Sequence, residues 1–516
     1  MARLTGFVRN LAVYGLGDVA TNLVSFLLLP VYVRHLSTTD YGVIGLLLGV
    51  EVMAKILFRF GLDASFMRLF FDCPDERARQ RLASTIFLFL AATGGLVLLP
   101  ALGFAPWLSA WLFGVAGYTL VFQLALVNIF VMGFSFIPFH VMRIEGRSGE
   151  FTSLTFARSL STLVVRLLLV VGVGMGVLGI VLADILVSVA VTVVLLPRYA
   201  ALLRPMFSRA LLGEALAFGL PRLPHGLAHQ VIAVADRYVL RLFVPLADLG
   251  VYTIGMTFGL AMKLFLSAFE YAWAPFYFAT MKEDHAKATF RRVTTWGVMV
   301  LVWLAVGLSA VGGDVVRLMT VPEFYRAADV IPWVALGVLL QGVYLLTSIG
   351  LNITKNTKYY PVSTGLAASV GVAAHFLLVP KFGIVGAACS NALAYGVLAA
   401  SAFWFAQRVY PMKYDLRRIG MTLAAGPLAL ALVVFAVPDD LPALWSAVAR
   451  GGTVVVAYPV LLFVMGFGTW HDLVRLAGLL PQVAGVGRVR RSADTSEKVS
   501  VPFSSGDASP PPRPDA

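Results

Sequence analysis

The sequence predicts an all-α polytopic membrane protein, and three observations carry that prediction. The 516 residues are 59% hydrophobic and 13% charged, with a mean hydropathy of +0.85, a composition outside the range of soluble globular domains. Apolar runs of about 20 residues, the length that crosses a hydrocarbon layer of about 30 Å as a helix, recur along nearly the whole chain. The formal charge of +13 would suggest nucleic acid in a soluble protein. Here the cations fall in short loops on one side of the apolar runs, as the positive-inside rule expects, so no nucleic-acid partner is predicted.

In chain order the runs divide into about 14 candidate spans, at 12–33, 42–66, 82–103, 118–141, 152–172, 176–196, 219–243, 250–280, 293–316, 328–352, 361–379, 383–406, 419–437 and 444–468. Arg3 and Arg9 precede a first run of full span length without a small-residue cleavage site, so it reads as a membrane helix and not as a removed leader. An even count puts both termini on one side. Arg34, Arg241, Arg317, Arg326 and Lys381 fall on the far side, while Lys55, Arg59, Arg166, Arg237, Lys263 and Arg450 lie inside spans. The remainder of the 40 lysines and arginines share the side of the N-terminus, which predicts that both termini are cytoplasmic. No outward loop is long enough to fold as a domain. Cys73, in a charged loop, and Cys389, inside a late span, form no disulfide framework or metal motif. From about residue 484 the tail is rich in Ser, Pro and charge and is expected to be disordered, with RVRR able to touch anionic lipid.

An internal repeat organises the spans. YGL at 14–16 and TTDYGV at 38–43 recur as FGL at 218–220 and LADLGV at 246–251, the offset settling at 208, which places Lys55 on Lys263. Tyr118 and GVLG at 176–179 fall on Tyr325 and GIVG at 383–386 at an offset of 207. Six helices per copy is an even number, so the copies run in the same sense, related by a pseudo-two-fold axis along the membrane normal with a cavity between them. The expected organisation is a six-helix bundle at 1–205, a second at 206–412, two additional helices at 413–470, and a cytoplasmic tail at 471–516.

The most informative polar pattern lies in the second span. Glu51, Lys55, Arg59 and Asp63 are spaced by four and form one ridge about 18 Å long on a helix. Facing lipid, each would cost several kcal/mol, so the ridge must line protein or a water-filled cavity. Two readings stay open. The ridge is the wall of a substrate path, or Glu51–Lys55 and Arg59–Asp63 neutralise each other as a structural stripe; the second couple has the poorer orientation, Arg before Asp. In the first reading Lys55 and Lys263 project from both halves toward an anion, and a lipid-borne diphosphate suits them. Arg59 adds a planar fork, and Arg237 a further cation from the seventh span. Against that, Lys263 could pair with Glu270 at i+7 or snorkel.

Asp18, Glu51, Asp63, Asp236 and Glu270 are the candidates for ion coupling, with proton and sodium both open. Arg166 and Asp184, in adjacent spans, are expected to pair structurally. His225 and His229 have a metal-like i, i+4 spacing but no evident third ligand, so neither metal nor cofactor is expected. Trp107, Trp111, Trp296 and Trp333 read as interfacial anchors.

Four segments carry a family resemblance: LLLPVYVRHLSTTDYGVIGL, GLDASFMRLFFD, FGLPRLPHGL, and ADRYVL followed by LADLGVYTIG. Together, over about residues 8–470, the chain resembles the polysaccharide transporter branch of the multidrug/oligosaccharidyl-lipid/polysaccharide exporter superfamily. That resemblance implies a MATE-like fold and alternating access. It also implies a flippase that exports polyprenyl-diphosphate-linked oligosaccharide across a bacterial cytoplasmic (inner) membrane for polysaccharide biosynthesis. The head would pass through the cavity while the tail stays in the bilayer. Lys55, Arg59 and Lys263 become candidate diphosphate or sugar contacts. Implied partners are the lipid-linked glycan, membrane lipid, a coupling ion and polysaccharide assembly proteins, with the chain acting as a monomer. The related lipid II flippases have cavity arginines where this chain has Lys263, and Asp18 is a further departure. Three alternatives are a lipid II flippase, a drug or cation antiporter with an acidic and aromatic cavity, and a membrane glycosyltransferase or polymerase. The last would need catalytic acids on a large outward loop, and no enzymatic activity is expected.

Overall fold

A chain buried in lipid must satisfy its backbone internally, and here it does so with helices; among the described residues no strand forms. The computed structural model describes residues 26, 28–115 and 117–467. Asp18, most of the first expected span and the tail from residue 468 lie outside the described residues.

After a single turn at Leu29–Tyr32, the first half comprises α1 (Thr38–Arg59), α2 (Leu62–Asp72), α3 (Glu76–Gly103), α4 (Ala105–Phe113), α5 (Thr119–Gly133), α6 (Phe136–Ile144), α7 (Ser148–Leu167) and α8 (Gly176–Leu202). A connecting helix, α9 (Arg209–Gly219), leads to α10 (Leu223–Phe243), α11 (Leu246–Gly259), α12 (Met262–Thr280), α13 (Ala286–Met319), α14 (Ile331–Thr347) and α15 (Tyr359–Val409). The last described helices are α16 (Leu416–Ala436) and α17 (Ala443–Val464). The packed unit closes at Met465.

Ten described helices are long and apolar enough to cross a membrane, or eleven if α11 and α12, bent by 49°, make one span. The expected count of about 14 is therefore not reached among the described residues, and the shortfall has identifiable sources. The first span is not described. Helix α10 forms, but Asp236, Arg237 and Arg241 make it too charged to be recognised by apolarity. The separate spans expected at 361–379 and 383–406 both form, as two helices that follow each other across a break at Gly383, with φ 55° and ψ −128°, and are counted together as α15.

Local chemistry explains where α1 starts and stops. Ser37 Oγ accepts from the Asp40 amide at 3.1 Å and Asp40 Oδ2 accepts from the Ser37 amide at 2.9 Å, a reciprocal cap. The helix ends where Phe60 and Gly61 turn left-handed, at φ 50° and 72°. The turn packs against α9, since a Cβ on Gly61 would lie 2.5 Å from the Gly219 carbonyl oxygen.

The two repeat copies meet reciprocally. A Cβ on Gly42 would lie 2.2 Å from the Leu246 carbonyl oxygen, and one on Gly250 would lie 1.7 Å from that of Thr38. Gly42 and Gly250 are mates at the offset of 208, as are Thr38 and Leu246. Gly45 likewise meets its own mate, Thr253, whose hydroxyl would be 2.3 Å from an added Cβ. Contacts of this form, i to j and j to i, are those of an axis of two-fold symmetry. Beside the seam the Tyr118 hydroxyl donates to Asp40 at 3.2 Å, and its mate Asp248 accepts from Arg326 at 3.2 Å. Burial, and then the Asp40 carboxylate, raise the Tyr118 hydroxyl above its ordinary value of 10.0 and keep it a donor.

The last two helices pack on α13. Asp314, buried there, accepts from Ser446 at 3.0 Å and lies 3.7 Å from Arg450, which also holds Asp439 at 2.6 Å. That accounts for the charge of Arg450 inside a span.

Candidate functional site

Moving along α1 from Thr38, successive faces meet different surroundings. Gly42 and Gly45 press on α11, and a Cβ on Gly49 would lie 2.7 Å from the Tyr238 hydroxyl on α10. Beyond them the halves part, and Leu48 borders two cavities.

The cavity of the second half, about 290 Å³, has apolar walls that include Val52, Met256 and Val334. Its cations are Arg237 and Lys263, and among the described residues no carboxylate lines it. Among the described residues Lys263 has no hydrogen bond, and no acid, Glu270 included, lies within the 4.0 Å of an ion pair. Arg237 is almost wholly enclosed, with 11% of its side chain exposed, and Nη1 lies 3.5 Å from Asp236. Nη1 also donates to the Ala233 carbonyl at 3.1 Å, while Nε is buried without a partner among the described residues. Trp333, expected at the membrane interface, is part of this wall.

Behind Arg237 sits a buried polar cluster. Asp236 is fully buried and accepts from the Tyr252 hydroxyl at 2.6 Å and the Asn391 amide at 3.2 Å. His375, also buried, makes a 2.6 Å contact with the Gly371 carbonyl through Nδ1, which leaves Nε2 without a partner among the described residues. A lone histidine in an apolar span gives no sequence signal, and His375 was not among the expected site residues.

The cavity of the first half is about 470 Å³ and is lined by Glu51, Arg158, Arg166 and Asp184 as its charged groups. Arg166 and Asp184 pair as expected, with hydrogen bonds of 2.9 and 2.7 Å. They do so in the cavity wall and not in a dry contact. Arg158 was grouped on sequence with the cytoplasmic cations, but it lies on α7 in this wall. The missed signal was legible: Thr155, Arg158, Ser159, Thr162 and Arg166 share one face of a helix, whose other face shows Phe156, Leu160 and Val164 at 49%, 49% and 45% exposure.

The ridge of the second span forms both couples. Lys55 Nζ donates to Glu51 at 2.5 Å, and Arg59 lies 3.9 Å from Asp63 and 5.2 Å from the centre of the Phe136 ring. Glu51 lines the first-half cavity, whereas Lys55 is in the wall of neither. Arg59 Nε is buried without a partner among the described residues. Lys55 and Lys263 thus share a repeat position but not a setting. The first copy breaks at Phe60–Gly61, which the offset maps onto 268–269, yet the second copy breaks at Leu260–Ala261. Lys55 stands before its break and Lys263 after. Glu270 is exposed on α12. The side chain of His225 lies outside the described residues, and no group of three metal-ligating side chains occurs among those described.

Comparison with known proteins follows the same outline. The sequence profile of a family described as polysaccharide biosynthesis protein matches residues 31–328. An uncharacterized membrane protein of Methanocaldococcus jannaschii is 21% identical over 447 residues, covering 80% of this chain and 86% of that protein. The lipid II flippase MurJ in an inward closed conformation superposes with a TM-score of 0.69 at 13% identity, over 91% of this chain and 99% of its own. A multidrug resistance MATE family transporter of the MOP superfamily, in an inward-facing conformation, gives 0.62 at 14% identity over 78% and 96%. At these identities the two structures establish the fold, which is MATE-like.

Proposed function

The chain belongs to the polysaccharide biosynthesis protein family, and from that premise we propose that it is a flippase carrying polyprenyl-diphosphate-linked oligosaccharide across the bacterial cytoplasmic membrane. Family and fold are those of membrane transporters and not of catalytic enzymes. The observation that carries the finer reading is the second-half cavity, where Lys263 and Arg237 line a largely apolar wall with no carboxylate in it among the described residues. Lys263 has no ion-pair partner among those residues and Arg237 is backed by the buried Asp236, and two cations in one cleft suit a diphosphate, because charge-assisted hydrogen bonds gain where water is excluded. Lys55 and Arg59 form a second set, reached when Glu51 and Asp63 release them.

In this reading bundles at 1–205 and 206–412 rock about the Gly42–Gly250 seam, with 413–470 outside the repeat. Both termini are cytoplasmic in this reading, and the halves touch where Thr38 meets Leu246. Among the coupling candidates Asp18, Glu51, Asp63, Asp236 and Glu270, the fully buried Asp236 is favoured, since a proton or sodium ion there would change a charge that water does not screen. Replacing Lys263 by alanine in a deletion host tests the function, with Arg237 kept because it pairs with the buried Asp236. The expected result is normal membrane expression and loss of surface polysaccharide; normal assembly with Lys263 replaced overturns the anion site.

A further inference from the structure

We propose that the first-half cavity is the glycan subsite, in which the α7 face holds sugar hydroxyls while the diphosphate rests beside it on Lys263 and Arg237. The inference rests on the flippase reading and adds to it a division of labour between two cavities.

Charge separates them first. Among the described residues the second-half wall has two cations and no acid, whereas the first-half wall sets Arg158 and Arg166 against Glu51 and Asp184. A dianionic head placed among those two carboxylates would be repelled by them, while the wall of the other cavity offers it cations alone. Sugars need something else: each hydroxyl both donates and accepts, so a sugar site alternates donors with acceptors.

The first-half wall supplies that alternation. The Arg158 side chain has no hydrogen bond or ion pair among the described residues, although the charges of Asp184 and Glu51 reach it. In the lining of the same cavity, the carbonyl oxygen of the Asn128 amide is buried without a partner among the described residues. Thr155 and Thr162 give their protons to the carbonyls of Phe151 and Arg158, at 2.8 and 2.9 Å, which leaves their oxygens turned outward as acceptors. A helix with apolar residues toward lipid and five polar ones inward bears a cost at membrane depth that packing alone does not require. The volume, about 470 Å³, lies within the range of small-ligand sites. Leu48 borders both cavities, so one side chain lies between the proposed sites for the diphosphate and for the sugar attached to it.

The test compares carriers with and without sugar on the full chain in nanodiscs. The probes are undecaprenyl diphosphate and the same carrier bearing glucose, galactose, N-acetylglucosamine or glucuronic acid. At least one sugar should tighten binding by about tenfold or more, the worth of one charged hydrogen bond. Arg158→Ala should remove that gain while affinity for the bare carrier falls far less, and the milder double change Thr155→Val with Ser159→Ala should reduce the gain in a chain that still folds. Lys263→Ala should weaken all probes alike. The subsite is overturned if Arg158→Ala weakens bare and glycosylated carriers equally, if no sugar adds affinity, or if the gain survives every α7 change. Absence of any Lys263-dependent binding of the bare carrier would instead sink the flippase reading, and the subsite with it.

Discussion

The two copies of the second repeat helix begin alike and end differently. In α1 and α11 the register is shared so closely that Gly42 meets Leu246 while Gly250 meets Thr38. One copy then breaks at Phe60–Gly61 and the other at Leu260–Ala261. After the earlier break Lys263 lies in the wall of a cavity that has no carboxylate among the described residues, whereas Lys55 remains on α1 and is held by Glu51. A repeat therefore fixes the frame in which two halves can dock, and the position of a single break decides which cation is left for an anion. The cavities inherit the contrast, one cationic, the other balanced.

The sharpest way to break this comparison is to remove one acid from each half. Asp236 is fully buried and holds Tyr252 and Asn391; Asp184, with 24% of its side chain exposed, pairs with Arg166 in a cavity wall. Asp236→Ala would leave a tyrosine hydroxyl, an amide and Arg237 unpaired in a dry site, at a cost of about 3–5 kcal/mol. After Asp184→Ala, cavity water can take over the hydrogen bonds of Arg166, and the loss should be about 1 kcal/mol. Thermal unfolding in detergent reads the difference. Equal losses would show that the first-half cavity is as dry as the core of the second.

The seam comes next in expected size. Gly250→Val would place side-chain carbons against the Thr38 backbone oxygen, which cannot yield without parting the halves, and overpacking of this kind costs about 1–3 kcal/mol. Gly95→Ala on α3 is the control, because nothing lies within 4 Å of its added Cβ. There the gain in helix propensity should stabilise by about 0.5–1 kcal/mol. If Gly250→Val unfolds with the native chain, the Gly42–Gly250 contact is not what holds the two halves together.

How much of this could be read from the sequence follows from the range of each signal. Composition and apolar periodicity are local, and they suffice for the all-α membrane fold. The repeat is a regular long-range signal, and it brought Gly42 and Gly250 into register before any contact was known. The breaks escaped because left-handed turns at Phe60 and Gly61 are set by packing against Gly219, not by a turn motif. The Asp236 cluster escaped because Tyr252 and Asn391 lie 16 and 155 residues away. Arg158 escaped because it stands near the basic loop that precedes α7, where a cation looks cytoplasmic, although its polar stripe is backed by an apolar face. Along the ridge both couples form, and Glu51 also lines a cavity.

The smallest expected effect on stability separates the two lysines of the repeat. Lys55 and Glu51 are 40% and 36% exposed, and an ion pair that open is worth no more than about 1 kcal/mol. Glu51→Gln should therefore leave the melting temperature nearly unchanged while freeing the Lys55 ammonium and tipping the first-half cavity toward positive charge. Lys263→Gln should be no more costly, since it removes a cation that has no partner among the described residues. The two changes part in transport. Lys263→Gln should abolish it, because the diphosphate loses a contact that nothing replaces. Glu51→Gln should preserve transport but alter its dependence on pH or sodium in vesicles, since a carboxylate on the cavity wall then no longer takes up or releases a cation. An unchanged dependence, together with unchanged melting, removes Glu51 from ion coupling and leaves its bond to Lys55 as a structural stripe along α1.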